Sequence, residues 1–281
     1  MVAASGLLAA GSVIALYAPV LADLAKDWAH DDNYSHGFLI PPIAAYFVWR
    51  RRGELFALPR RPSVLGLFVI AASLAVLLVG TIGVELFLTR ISLLGVMTGA
   101  VIFLCGWRWL RLVALPLAFL VLMIPLPAIV FNQIAFPLQL LATRFGVGVL
   151  RLAEIPVLRE GNVIVLANMN LEVAEACSGI RSLVTLFSLA IVFGYFADSR
   201  PTARVLIALS SVPIAIVANG LRVAGTGLAA YHFGAGVAGG FFHTFSGWLV
   251  FVASFGLLAA IAAGLRPFHA GRFAFASQRT S

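Results

Sequence analysis

Long apolar runs alternate with short polar breaks along almost the whole chain. A helix needs about 20 mostly apolar residues to cross a bilayer. On that measure the hydrophobic pattern predicts eight spans, at residues 3–21, 37–49, 63–84, 91–106, 112–129, 180–196, 203–218 and 245–265. The second and fourth are the shortest. A different pattern separates the fifth span from the sixth. "FNQIAFPLQLLATRFGVGVLRLAEI" keeps apolar residues at helical spacing but intersperses Gln133, Gln139, Arg144, Arg151 and Glu154. That is the pattern of an amphipathic helix lying in the membrane interface. "PVLREGNVIVLANMNLEVAEA" then partly alternates, with turn signals at Glu160-Gly161-Asn162 and Asn168-Met169-Asn170. It predicts a small hairpin cap.

The expected architecture is therefore all-α and polytopic, a single integral membrane domain over residues 1–281. Residues 1–130 carry spans one to five, 131–176 the amphipathic helix and cap, 177–265 spans six to eight, and 266–281 a tail. Residues 223–242 are apolar but broken by glycines, and read as a re-entrant or interfacial hairpin.

Composition agrees with a membrane protein. The chain is 62% hydrophobic and 11% charged, against about 45–50% and 25% in soluble domains. The net charge of +8 does not point to nucleic acid, because no basic stripe stands apart from the spans. The arginines sit in short loops instead. Arg50, Arg51, Arg52, Arg60 and Arg61 follow span two, Arg108 and Arg111 span four, Arg200 and Arg204 span six, and Arg266, Arg272 and Arg279 span eight. These loops all fall on one side, which makes that side the cytoplasm. The opposite short loops hold only Lys26 and Arg90, with Asp23, Asp27, Asp31 and Asp32 beside the first. Both termini are then cytoplasmic.

This topology brings several polar groups to the outer ends of spans. Cys177 opens span six, Asn219 and Arg222 close span seven, and His243 precedes span eight. Charge at such depth is costly and calls for a reason. A thiolate is the reactive form of cysteine, and a helix N-terminus and a nearby cation both favour it. A histidine at the same level can protonate a leaving amine and then activate a second nucleophile. An arginine can support the thiolate or the oxyanion of a tetrahedral intermediate. Together these groups suit acyl transfer through a thioester. Two arginines compete for the charge role: Arg222, from another helix, and Arg181, one helical turn after Cys177. The residues alone do not decide between them. Arg181 also suits a substrate carboxylate or a pairing with Glu175, and Gly179 leaves room for a substrate backbone. His243 and Ser246, three residues apart, would make the competing serine–histidine pair.

Cys105 reads as packing at the other end of span four. There is no HExxH and no GxSxG, and the thioester chemistry needs no metal or organic cofactor.

At these residues the sequence resembles the exosortase family, bacterial multi-pass cysteine transpeptidases related to archaeosortases. The resemblance rests on "EACSGIRSL" with Cys177, "VPIAIVANGLRV" with Arg222 and "GFFHTFSGW" with His243. "DDNYSHGFLIPP" is similar to that family's first outer loop, and its His36 is a candidate for substrate binding. The resemblance implies Cys177 as nucleophile, with Arg222 and His243 completing a triad; Glu175, Arg181 and Asn219 are further candidates for holding substrate. It implies as partners exported proteins with a PEP-CTERM-like signal: a short PEP-type motif, a transmembrane helix and a basic tail. It implies a place in the bacterial inner membrane, amid membrane lipid, with the site facing the periplasm. A different class fits the arginines too. A transporter or flippase for envelope polysaccharide would use Arg222 and Arg181 to hold anionic head groups.

Overall fold

The computed structural model describes residues 2–173, 179–234, 236 and 240–265, with side chains described from Gly11 onward and not at 240–244. Two compact units, Met1–Ala128 and Ile129–Ser281, make up the chain.

The first unit is helical throughout: α1 Val2–His30, α2 Ile40–Arg50, α3 Arg52–Ala57, α4 Leu65–Ile82, α5 Leu86–Leu104 and α6 Trp107–Phe119. Helices α4 and α5 form a tight antiparallel hairpin. Small residues let the two backbones approach: a methyl on Gly99 would come 2.7 Å from Ile70, and one on Gly80 would come 2.9 Å from Leu88. This is how membrane helices associate when no hydrophobic force separates lipid from protein. Helix α1 joins them through Tyr17, fully buried against Leu93 and Val96. The Tyr17 hydroxyl shares a 2.9 Å hydrogen bond with Ser92. Arg90, 3% exposed, pairs with Asp27 at 2.6 Å, so an acidic partner offsets the charge that α5 carries at this end.

Helices α2 and α6 are shorter than the spans expected at 37–49 and 112–129. Each is extended by a 3-10 turn, Ser35–Phe38 before α2 and Leu120–Met123 after α6. Pro125 and Pro127 then prevent α6 from continuing. The broken end is knitted by polar aromatic groups from "DWAHDDNYSHG". Trp28 Nε1 donates to the Met123 carbonyl at 2.8 Å, His36 Nε2 to the Leu122 carbonyl at 3.1 Å, and the Tyr34 hydroxyl accepts from the Leu126 N–H at 3.1 Å. Irregular backbone at such a depth needs partners of this kind.

The second unit holds α7 Ala128–Leu152, a three-stranded antiparallel sheet, α8 Ile180–Ala197, α9 Pro201–Phe233 and α10 Gly240–Leu265. The sheet consists of β1 Val157–Glu160, β2 Val163–Leu166 and β3 Asn170–Glu172. Both predicted turns are present, and the second adds a strand to the expected hairpin. Gly161 takes φ +63° in the first turn. Ile164 and Leu166 alternate inward and pack on Ala142, Val147 and Leu150 of α7 and on Val223 and Ala230 of α9. Two asparagines fasten the sheet. Asn162 bonds both ways with Val173, at 2.9 and 3.3 Å, and Asn168 reaches the Tyr231 carbonyl at 3.3 Å.

One expectation needs correction here. Residues 223–233 are not a re-entrant hairpin: α9 runs unbroken for 33 residues, about 50 Å. Gly220 and Gly227 are packing positions, not breaks. A methyl on Gly220 would meet the Phe145 ring at 2.6 Å, and one on Gly227 would meet Leu150 at 2.9 Å. The amphipathic helix is present as α7, and Ala142, Val147 and Leu150 of it pack with α9 and the sheet, while Ile129, Phe136 and Leu152 are exposed. Phe145 at Gly220, Gly146 at Val223 and Leu150 at Gly227 make the two helices run alongside in the same direction.

Among the described residues six helices are long and apolar enough to cross a membrane, judged by length and composition: α4, α5, α7, α8, α9 and residues 245–265 of α10. Eight is not reached, because α2 and α6 are short and the first ten side chains of α1 lie outside the description. The class that follows is a polytopic, almost wholly helical membrane protein.

Candidate active site

Helices α8, α9 and α10 form an antiparallel trio whose two ends differ in chemistry. At one end a clasp of charges closes the trio. Arg200 Nη2 meets Asp198 Oδ2 at 2.6 Å and donates to the Leu265 carbonyl at 3.0 Å. Arg204 Nε donates to the Asp198 carbonyl at 2.7 Å, and its Nη2 to the Tyr195 carbonyl at 3.3 Å. The last carbonyls of α8 and α10 have no partners within their own helices, and the arginines supply them. Arg200 holds the Asp198 carboxyl well below the usual carboxylate range. Sequence reading took Arg200 and Arg204 only as markers of orientation.

The other end carries the candidate site. A single turn of α9, residues 219–223, touches all three neighbouring helices. Asn219, 4% exposed, lies on Gly179 at the start of α8. Gly220 lies under Phe145 of α7, and the Arg222 guanidinium lies on Gly247 of α10. The antiparallel pairing of α9 with α10 puts position 243, one turn before Gly247, at this same end. The backbones of Arg222 and position 243 thus lie at one end of the trio, although the hairpin expected to bring them there is absent. A long α9, a six-residue connection (234–239) and a returning α10 do the work instead.

Gly179 takes φ +82°, in the left-handed region, and begins α8 with no side-chain cap of its own. The room above it, expected for a substrate backbone, is filled: a methyl on Gly179 would come 2.7 Å from Asn219 Cγ and 2.8 Å from Nδ2. Arg181 stands in the first turn of α8, partly buried. Cys177 and Glu175 lie outside the described residues, as does the side chain of His243.

Two cavities flank Asn219. One is small and lies between α7, α8 and α9, lined by Leu138, Ala142, Leu183 and Ile216. The other is lined by Ser182, Arg222, Gly247 and Ser254 among α8, α9 and α10. Asn219 and Ala215 border both. Sequence reasoning missed Gly247 and Ser254. The only signal for Gly247 was a small residue one helical turn after His243.

His36 belongs to the first unit. It is 8% exposed, and burial pushes its pKa below the ordinary histidine value. Its Nε2 is engaged by Leu122, so what it visibly does is hold the 3-10 turn after α6. Cys105 is a free, partly buried cysteine at the end of α5. No group of three or more His, Cys, Asp or Glu suited to a metal occurs among the described residues.

A many-helix membrane protein with a polar site at one end of an antiparallel trio is the class these features define. The sequence pattern of the transmembrane exosortases matches residues 28–260, and the chain belongs to that family. It is thereby a multi-pass membrane transpeptidase of the exosortase type, a kind of enzyme that acts on exported proteins bearing sorting signals. The chain matches no curated protein and no solved structure.

Proposed function

We propose that the chain cleaves the carboxy-terminal sorting signal of exported proteins through a thioester on Cys177, with Arg222 and His243 as its partners. The signal is a PEP-CTERM-like tail: a short PEP-type motif, a membrane helix and a basic end. The observation that carries this reading is the single turn of α9 that ties Arg222 to α10 and, through Asn219, to the start of α8. Cys177 is two residues before Gly179, and covalent geometry keeps their Cα atoms within about 7.6 Å. The arginine loops support an outward-facing site in the bacterial inner membrane with both termini cytoplasmic.

In the proposed reaction the Cys177 thiolate attacks the scissile carbonyl carbon. The C–N bond breaks as His243 gives its proton to the departing amine, and the acyl group remains on sulfur. An acceptor amine, hydroxyl or water then attacks the thioester, loses its proton to His243 and releases the thiolate. Arg222 supports negative charge on sulfur or on the intermediate's oxygen. Arg181 is left to the substrate or to Glu175. Arg222 is preferred for the reaction because it lines the cavity shared by α8, α9 and α10.

Co-expression with an exported reporter bearing such a tail tests the reading. A size shift is expected that disappears with Cys177→Ala while the protein still accumulates in the membrane. Full processing by Cys177→Ala would sink the mechanism. Loss with Ser246→Ala but not Cys177→Ala would favour the serine pair. Loss of polysaccharide export with Arg222→Ala alone, Cys177→Ala being tolerated, would favour a transporter.

A further inference from the structure

We infer that Asn219 is a positioning residue for this reaction: its buried carboxamide braces the left-handed Gly179 turn that starts α8, two residues after Cys177 in the sequence, and links that turn to Arg222 on the same turn of α9. The inference rests on the reading of Cys177 as the nucleophile. Four observations carry it.

A carboxamide at 4% exposure is costly to bury unless its polar atoms find partners. Apolar packing alone does not explain an asparagine there. Second, its contact is with an uncommon piece of backbone. Gly179 has φ +82° and no capping side chain. The first N–H groups of α8 lack partners within the helix. A carboxamide offers one acceptor oxygen and two donor hydrogens, so one side chain can serve N–H and carbonyl groups of such a turn.

Third, the fit is close enough to transmit position. A Cβ added at Gly179 would lie 2.7 Å from Asn219 Cγ, so the carboxamide occupies the space where any larger side chain at 179 would go. Fourth, Asn219 and Arg222 lie on the same helical turn, and α9 is continuous through it. The side chain that braces the α8 turn is thus rigidly linked to the guanidinium. Asn219 also borders both the cavity lined by Leu138 and Ile216 and the one lined by Arg222.

The test uses the full-length protein in detergent or nanodiscs, in a Cys105→Ala background so that Cys177 is the one thiol. Processing of the tailed reporter is measured together with the pH dependence of Cys177 alkylation by iodoacetamide. Asn219→Asp keeps the shape and removes the two donors; Asn219→Ala removes both. Both are expected to lower kcat at least tenfold with KM changed less than twofold, and to move the alkylation midpoint by at least half a pH unit. Gly179→Ala should be as damaging. Its combination with Asn219→Ala should cost less than the product of the single effects, because the clash is gone.

Unchanged kcat in Asn219→Asp and Asn219→Ala would overturn the inference. So would a loss confined to KM, or a kcat loss with an unmoved alkylation midpoint. If Asn219→Ala fails to accumulate, the isosteric Asn219→Asp decides by the same criteria. If Cys177→Ala still processes the reporter, the nucleophile reading fails first. If Cys177→Ala is inactive and the Asn219 variants are normal, only the role of Asn219 fails.

Discussion

Arg222 and Gly247 meet across α9 and α10: a methyl built on Gly247 would lie 3.4 Å from both the guanidinium carbon and Nη2 of Arg222. A larger side chain at 247 has to displace that cation. Gly247→Ala is expected to keep processing within a few-fold. Gly247→Leu should reduce it at least tenfold without loss of membrane accumulation. A reporter assay with immunoblotting of the membrane fraction reads both, and full activity in Gly247→Leu would show that the guanidinium position is unimportant.

Arg222→Lys separates charge from shape. A lysine is a point charge on a flexible stem, whereas the guanidinium is a planar fork of donors. If the planar group is what faces the reaction, Arg222→Lys falls at least tenfold in kcat. Retained activity would reduce the requirement to positive charge alone.

Asn162 ties Val173, the last described residue before the Cys177 segment, to the first turn of the sheet. Asn162→Ala removes a donor from a carbonyl at the edge of a packed cluster. Net losses of this kind run to about 1–3 kcal/mol. The expected result is faster proteolysis within residues 157–173 and several-fold slower processing. Limited proteolysis followed by mass spectrometry locates the cuts.

His36 gives a pH dependence whose sign can be worked out. Burial lowers its folded pKa, so the unfolded chain binds the proton more readily. Its stabilising contribution is complete above the ordinary histidine pKa, near 6.5, and declines as pH falls below that value. Thermal unfolding in detergent between about pH 5 and 7 should show Tm falling toward acid pH. The slope should be shallower in His36→Gln, which has no proton to gain. An equal slope in both would remove His36 as its source.

Cys105→Ala should leave processing within twofold, because the thiol takes no part in the proposed reaction and a smaller apolar side chain replaces it. Mass spectrometry of alkylated protein then reports Cys177 alone. A large loss of activity would mean that the end of α5 matters to function as well as to packing.

The sequence made α4, α5, α8 and α10 legible because uninterrupted apolar runs of the right length have few other outcomes. Both turns of the cap were legible for a similar reason: glycine and asparagine mark them locally. Helix α9 was misread after Ala218 because Gly220, Gly225 and Gly227 look like breaks. Glycine costs a helix only about 1 kcal/mol relative to alanine, and close approach to Phe145 and Leu150 offsets that cost. Pattern cannot show a neighbour that comes from 75 residues away. The same limit hid Gly247, whose meaning depends on what α9 presents to it. It also hid the use of Trp28, Tyr34 and His36, which serve the backbone beyond α6 and not their own segment. Arg222 was legible as a charge in an apolar context. Asn219 was visible as a polar residue beside it, but that it fills the space over Gly179 needed the fold.

The Asp198–Arg200–Leu265 clasp works like the pivot of a caliper. By joining the ends of α8 and α10 to the start of α9, it fixes how far each helix extends when it reaches the opposite tip. A slip of one helical turn at the pivot would carry the far contacts about 5.4 Å along the axis, separating Arg222 from Gly247 and Asn219 from Gly179. The accuracy of a site at one tip is thus set by links at the other, about 27 Å away along α10, counted from Gly247 to Leu265 at about 1.5 Å per helical residue.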